Sequence, residues 1–163
     1  MVMTISNDKE LKKILTNICD IVVPNVAAKA LRLLQKSIEK HMYQDENVYY
    51  YDGTGEPTGQ FEKAWKIRDE SDVKAVVTEL FYDFMSMDFD EETYLHGSEE
   101  HGDRREYLAE DLNVAGWVAT SDFGKRTKRP YWDVFIEDLT NNNQIFKWFT
   151  EEFEKYGIVK SIV

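Results

Sequence analysis

The scarcest residues narrow the chain first. A single cysteine, Cys19, rules out an internal disulfide, and its place in an apolar helical pattern suits a buried thiol in a reducing compartment. Three prolines and eight glycines in 163 residues exclude collagen-like and proline-rich architectures. Basic side chains are few, 20 against 31 acidic, for a net charge of -11, which argues against a general binder of DNA or of anionic membranes. The N-terminal MVMTISNDKE lacks the charged, apolar, small-residue order of a secretory signal. No apolar run approaches the ~20 residues that span a bilayer. These absences predict a soluble protein made in the cytoplasm.

What remains is enough for a core. Hydrophobic residues make up 42% and aromatics 13% of the chain, so it is not a disordered polypeptide, and a chain of this length hides roughly two-thirds of its unfolded surface. One domain over residues 1–163 is expected, with no repeat, low-complexity tract or linker.

Leu11, Ile14, Leu15, Ile18 and Val22 recur at three- and four-residue spacing, with Asn7 and Glu10 placed as a capping box. Pro24 predicts a break or kink, after which Ala27, Ala30, Leu31, Leu34 and Ile38 continue a second helix to about Tyr43. The period then changes. Phe61, Ala64, Trp65 and Ile67, followed by VKAVVTELFYDFMSMDF, favour two antiparallel strands turning at Asp69 to Asp72, the second ending near Phe84 or Phe89. A helix over Ser71 to Phe84 fits the same residues, through Val73, Val76, Val77, Leu80 and Phe84.

Asp103 is placed to cap a short helix burying Tyr107, Leu108 and Leu112, and Val114 to Ala119 reads as a strand. Pro130 opens a helix that turns Trp132, Phe135, Ile136 and Leu139 inward. A last helix presents Ile145, Phe146, Phe149 and Phe153 on one face and stops near Gly157, and IVKSIV reads as a final strand. The expected fold class is α+β: N-terminal helices, a central antiparallel sheet, and C-terminal helices packed on that sheet.

Candidate chemistry is weak. Gly53, Gly55 and Gly59 lack both the preceding strand and the following Lys-Ser or Lys-Thr of a phosphate loop, so they read as turn residues. His96, Glu99, Glu100, His101 and Asp103 crowd potential ligands into one loop. Their spacing matches no established metal register, and a solvated turn pairing with Arg104 and Arg105 explains them better. Paired carboxylates are abundant but unspecific in so acidic a chain. No nucleophile elbow is present, so no enzyme, metal or cofactor is expected.

Trp132 and Trp148 share helical faces with Phe and Ile and suit core packing. The dense basic run KRTKR supplies Lys125, Arg126, Lys128 and Arg129, whose charge suits a solvated loop first, the acidic face of a neighbouring subunit next, and a DNA phosphate backbone third. Tyr49, Tyr50 and Tyr51 cannot all face one core, so at least one is expected at solvent or a partner.

Three features in this order resemble the neck and tail-completion proteins, the head-tail connectors of long-tailed double-stranded DNA bacteriophages. After an N-terminal helix and a tyrosine-containing loop comes TGQFEKAW, from Thr58 to Trp65. An Arg-Pro-aromatic helix start follows in KRPYWDVFIEDL, at Arg129, Pro130, Tyr131 and Trp132, and the amphipathic IFKWFTEEFEKYGI closes the chain. The segment LHGSEEHGDRREYLAEDLN resembles only some branches of that family.

The resemblance implies a structural virion protein rather than an enzyme. It implies a homo-oligomeric ring of six or twelve copies in the neck, made in the host bacterial cytoplasm. The ring would sit between a portal or adaptor protein and a tail tube or tail terminator, with DNA passing through its channel unread and no membrane involved. Tyr49, Tyr50 and Tyr51 would then lie on a projecting interface loop. KRTKR would meet the acidic run Asp88, Asp90, Glu91 and Glu92 of the next subunit, because a head-to-tail ring pairs two different surfaces of one chain. An acidic DNA mimic that occupies a nucleic-acid-binding enzyme is the alternative, with DFDEE and SEEHGD supplying phosphate-like charge.

Overall fold

A long N-terminal helix organises everything packed against it. The computed structural model describes residues 7–43, 59–87, 117–118, 126–127, 130–141 and 143–158. Helix α1 runs Asp8–Ile38 and passes into a π-helical turn, Glu39–Tyr43. A one-turn helix α2, Gln60–Lys63, leads into strand β1, Trp65–Asp69, which pairs antiparallel with β2, Thr78–Tyr82. A 3-10 turn at Phe84–Ser86 follows. Farther along, β3, Trp117–Val118, pairs with β4, Arg126–Thr127, before helices α3, Tyr131–Asn141, and α4, Gln144–Glu154. The class is α+β as expected: long helix, antiparallel pair, C-terminal helices.

Asn7 starts α1 as predicted, its side-chain oxygen accepting from the Glu10 backbone N–H at 2.9 Å and satisfying one of the four donors that a helix start leaves open. Pro24 does not break the helix. It removes one backbone donor and crowds the carbonyl of Asp20, yet α-helix continues through it to Ile38. Tertiary packing holds both sides: Val22 and Val26 are buried around the proline, and α4 is tied alongside by the Asn25 amide, which donates to Glu152 at 3.3 Å.

The core gathers Leu34 and Ile38 of α1, Phe61, Ala64 and Trp65 at the entry to the sheet, Met87, and Tyr131, Phe135 and Leu139 of α3. Trp65 lies at its centre, with ring centroids 5.2 Å from Trp132, 5.3 Å from Tyr82 and 6.4 Å from Tyr131. This stack is where α3 meets the sheet. Ser37 locks α1 to α3 by donating its hydroxyl to the Tyr131 carbonyl at 2.7 Å in a buried position. Tyr131 is itself buried, which raises its phenol above the ordinary value, with Tyr82 adding to the effect. Trp132 and Trp148 are half-buried against this core, as their helical positions predict.

Successive side chains of the strand pair point to opposite faces, while burial along β1 falls from Trp65 toward Asp69. Trp65 and Ile67 share a face with their partners Tyr82 and Leu80. On the opposite face Arg68 reaches Glu79 at 2.6 Å and lies over the Phe81 ring at 4.7 Å, while Lys66 pairs with Asp83 at 2.6 Å.

Several expectations need correction here. TGQFEKAW opens with a helical turn, not a strand, because Gly59 takes a left-handed φ of 68° and caps α2. The connection between strands extends beyond Asp72. Asp69 accepts from the Ser71 N–H, Asp72 accepts from the N–H groups of Lys74 and Ala75, and Glu70 donates to the Val77 carbonyl. These side-chain and backbone bonds offer the chain an alternative to helix, so the helical reading of Ser71 to Phe84 fails and Val73 stands 99% exposed. The second strand ends at Tyr82, where the 3-10 turn takes over.

In α3 the buried line is Tyr131, Phe135 and Leu139, at i, i+4 and i+8, and Ile136, one residue round the helix, is largely exposed. Gly157 ends the last helix as predicted, with φ of 74° and the Ile158 N–H returning to the Phe153 carbonyl. The predicted helix after Asp103 and the final strand from IVKSIV lie outside the described residues, and of the strand expected over Val114 to Ala119 only Trp117–Val118 is described.

Candidate interaction surface

The core-facing side of α1 is longer than the core. From Val22 to Ile38 this side is buried under α3, α4 and the sheet; toward the N-terminus the same side continues through half-buried Cys19 to Leu15 and Leu11, which are exposed. Among the described residues the turn between β1 and β2 reaches across, through Lys74 and Val76. The result is a shallow groove of ≈ 450 Å³ with an apolar floor of Leu11, Leu15, Val23 and Val76, with Cys19 and Thr16 beside it. Lys12 and Lys74 give it a cationic rim, offset by one carboxylate, Asp8. Leu15 remains 40% exposed.

A second open surface lies on the C-terminal helices. Ile136 of α3 and Ile145 and Phe146 of α4 are exposed, Phe146 by 57%. The expected apolar face of α4 exists, and its residues differ in exposure. Phe149 and Phe153 stack with centroids 6.2 Å apart and are half-buried. The most deeply buried residue of α4 is a charge, Glu152, at 2% exposure. Periodicity located the apolar face; it carries no information about how much of that face another element covers.

Glu152 is buried because cations meet it from two sides. Lys155, at the C-terminal cap of α4, lies 2.7 Å away and Lys29 of α1 lies 3.0 Å away; Lys29 also reaches Glu151 at 3.0 Å. The bonds from Lys155 first, and then from Lys29, hold the Glu152 carboxyl far below its usual value, at about 2. The bond to Glu151, reinforced by Glu152, raises Lys29. This cluster fixes α4 on α1. Sequence reasoning missed it, since the pairing joins residues more than a hundred positions apart with no local signature.

Half-buried His41 follows the other end of α1 in the π-helical turn. Its Nε2 has no hydrogen-bond partner, and burial, followed by the charge of Lys40, lowers its pKa. Among the described residues no group of three or more His, Cys, Asp or Glu side chains is arranged to hold a metal ion.

Of the residues proposed for contacts, Arg126 lies in β4, its backbone paired opposite Val118. Tyr49, Tyr50, Tyr51, Asp88, Asp90, Glu91, Glu92, Lys125, Lys128 and Arg129 lie outside the described residues, as does the loop from His96 to Asp103. The phosphate-mimic alternative requires rows of unpaired carboxylates. Among the described residues Glu70, Glu79, Asp83, Glu151 and Glu152 are all engaged by Lys or Arg.

The expectation that no stretch has membrane-spanning character also needs correction. The helical segment Asp8–His41 is long and apolar enough, by length and composition, to cross a membrane, and 11% of its most apolar stretch is buried. That stretch nevertheless contains Asp20, Pro24, Asn25 and Lys29. An Asp or Lys at the centre of a spanning helix costs about 2.5–3.5 kcal/mol, and here Lys29 and Asn25 are already committed to α4. The apolarity of α1 therefore fits a helix that packs against protein on more than one side.

Comparison with known proteins finds no family model, no curated sequence and no solved structure that matches the chain.

Proposed function

We propose that this chain is a structural assembly subunit, a protein whose work is contact with other protein chains. The finer reading is a ring-forming neck component of a tailed bacteriophage, joining the DNA-filled head to the tail. The observation that carries the assembly reading is the unfinished side of α1: residues that are buried in one half of the helix continue as an open apolar groove in the other. Exposed Ile and Phe side chains on α3 and α4 add a second contact surface, and apolar surface left open on a strongly charged chain marks sites of association. The finer reading rests on the ordered features TGQFEKAW, KRPYWDVFIEDL and IFKWFTEEFEKYGI. The partners in that setting are further copies of the chain, a portal or adaptor below the head, and a tail tube or terminator protein.

Imaging by electron microscopy tests the finer reading. The purified chain at high concentration, alone or mixed with portal particles from tailed phages, is expected to give closed rings of uniform copy number with an open centre. Open filaments, irregular aggregates or isolated subunits under all these conditions would remove the neck assignment.

A further inference from the structure

We infer that α1 is one helix in geometry and two units in stability: residues 8–21 open by themselves, hinged at Pro24, while the rest of the helix stays docked until the whole fold unfolds. The opening belongs to the free subunit and does not depend on the assembly reading.

Burial divides the helix near the proline. No residue in 8–21 is buried; Ile14, Ile18 and Cys19 are half-buried and the others exposed, whereas Val22, Val26, Leu34, Ser37 and Ile38 are buried. The ties from α1 to the C-terminal helices, through Asn25 and Lys29 to α4 and through Ser37 to α3, lie beyond the proline. A segment with few buried apolar contacts and an exposed hydrogen-bond ladder opens at a cost below that of global unfolding.

Intrinsic preference divides the helix in the same region. Every residue in 27–36 is Ala, Leu, Lys, Arg or Gln, all strong helix formers, and the stretch 16–25 contains none of these. The Thr16 hydroxyl donates to the Lys12 carbonyl at 3.0 Å, a side-chain bond that weakens and bends a helix. Pro24 has no N–H to offer the Asp20 carbonyl. A helix as short as residues 8–21 is marginal in water by itself, since about 12–15 residues is the lower limit even for alanine-rich sequences. The Asn7 cap works against opening, but it is a single local bond.

The groove depends on this segment. Leu11 and Leu15 belong to the part that opens, whereas Val23 and Val76 do not. Each opening therefore takes the groove apart, so the groove is present only in the closed fraction of free subunits, and any occupant is expected to raise the protection of this segment.

Native-state hydrogen exchange, read residue by residue by NMR on the dilute chain, is the test. After correction for intrinsic rates, the amides of residues 18–21 should exchange at least about a hundredfold faster than those of residues 31–34. Urea below the unfolding transition should accelerate residues 31–34 steeply and residues 18–21 little, because a local opening exposes little surface. Pro24→Ala returns a donor to the Asp20 carbonyl and should slow exchange over residues 18–21 by about tenfold or more. The urea slopes decide the matter without any variant. Equal protection on both sides of Pro24, or equal slopes, would show that α1 opens only with the whole fold and would overturn the inference. Exchange that Pro24→Ala does not slow would remove the hinge. Either failure leaves the assembly reading as it was, and a chain that never forms larger species would remove that reading while leaving this opening in place.

Discussion

Trp65→Ala is expected to lower the stability of the folded chain by about 3–5 kcal/mol, the cost of removing a large aromatic from a packed core. The loss is concentrated because Trp65 joins three elements: on β1 itself, its ring meets Tyr82 of β2 and both Tyr131 and Trp132 of α3. Each such aromatic pair adds about 0.5–1.5 kcal/mol beyond the area it buries. Trp65→Phe should cost roughly half as much or less. The indole N–H is buried without an acceptor, so replacing it with a phenyl ring removes an unsatisfied donor along with some contact area. Urea unfolding followed by far-ultraviolet dichroism measures both. Equal losses for the two variants would mean that the ring's volume is not what the site requires.

Acid should loosen the docking of α4. The Glu152 carboxyl sits at about 2 in the fold against an ordinary 4.5. A depressed carboxyl contributes stability that is complete above the unfolded value and fades as pH falls through the folded one. The contribution is therefore expected to decline between about pH 4.5 and 2. His41 acts in the same direction somewhat earlier: its folded pKa is below the ordinary 6.5, so stability starts to fall once the pH drops beneath that value. Lys29 works at the other end of the scale. It is raised above 10.5, so its contribution holds below that value and is lost as pH rises through the folded one.

Glu152→Gln is expected to lower the melting temperature by several degrees at pH 7, because two ammonium groups then face a neutral amide in place of a buried carboxylate. The same variant should show a flatter decline than the parent on the acid side of pH 4.5. Thermal unfolding across pH 2 to 7 decides the matter. Parallel curves for parent and variant would show that the acid limb belongs to other groups.

The parts of this fold legible in the sequence are those whose signal is local. The cap at Asn7, the stop at Gly157, the strand pair around Trp65 and Tyr82, and the helix opened by Pro130 each follow from a few neighbouring residues. The misreadings arose where distant packing decided. Pro24 sits inside a continuous helix because tertiary contacts outweigh its local penalty. Ser71 to Val77 has helical spacing but folds as a turn because Asp69 and Asp72 hold the neighbouring backbone N–H groups.

The candidate site was legible as a stripe but not as a surface. Leu11 and Leu15 look like core in the sequence, on the same footing as Leu34 and Ile38. The placement of α3, α4 and the sheet shows that full burial of this side, among the described residues, begins at Val22. The ion pairs that hold α4 in place were invisible for a similar reason: Lys29 and Glu152 look like ordinary surface charges until the chain brings them to 3.0 Å.

The proposed assembly requires that this chain complete its packing with other copies of itself. Its most direct test is the mass of the purified protein by light scattering, over a wide range of concentration and at low and high salt. The mass is expected to rise from the 19.2 kDa subunit to a defined multiple as concentration increases, and Leu15→Asp should remain at one subunit in the same measurement. A parent chain that holds the mass of a single subunit at every concentration and salt would contradict it.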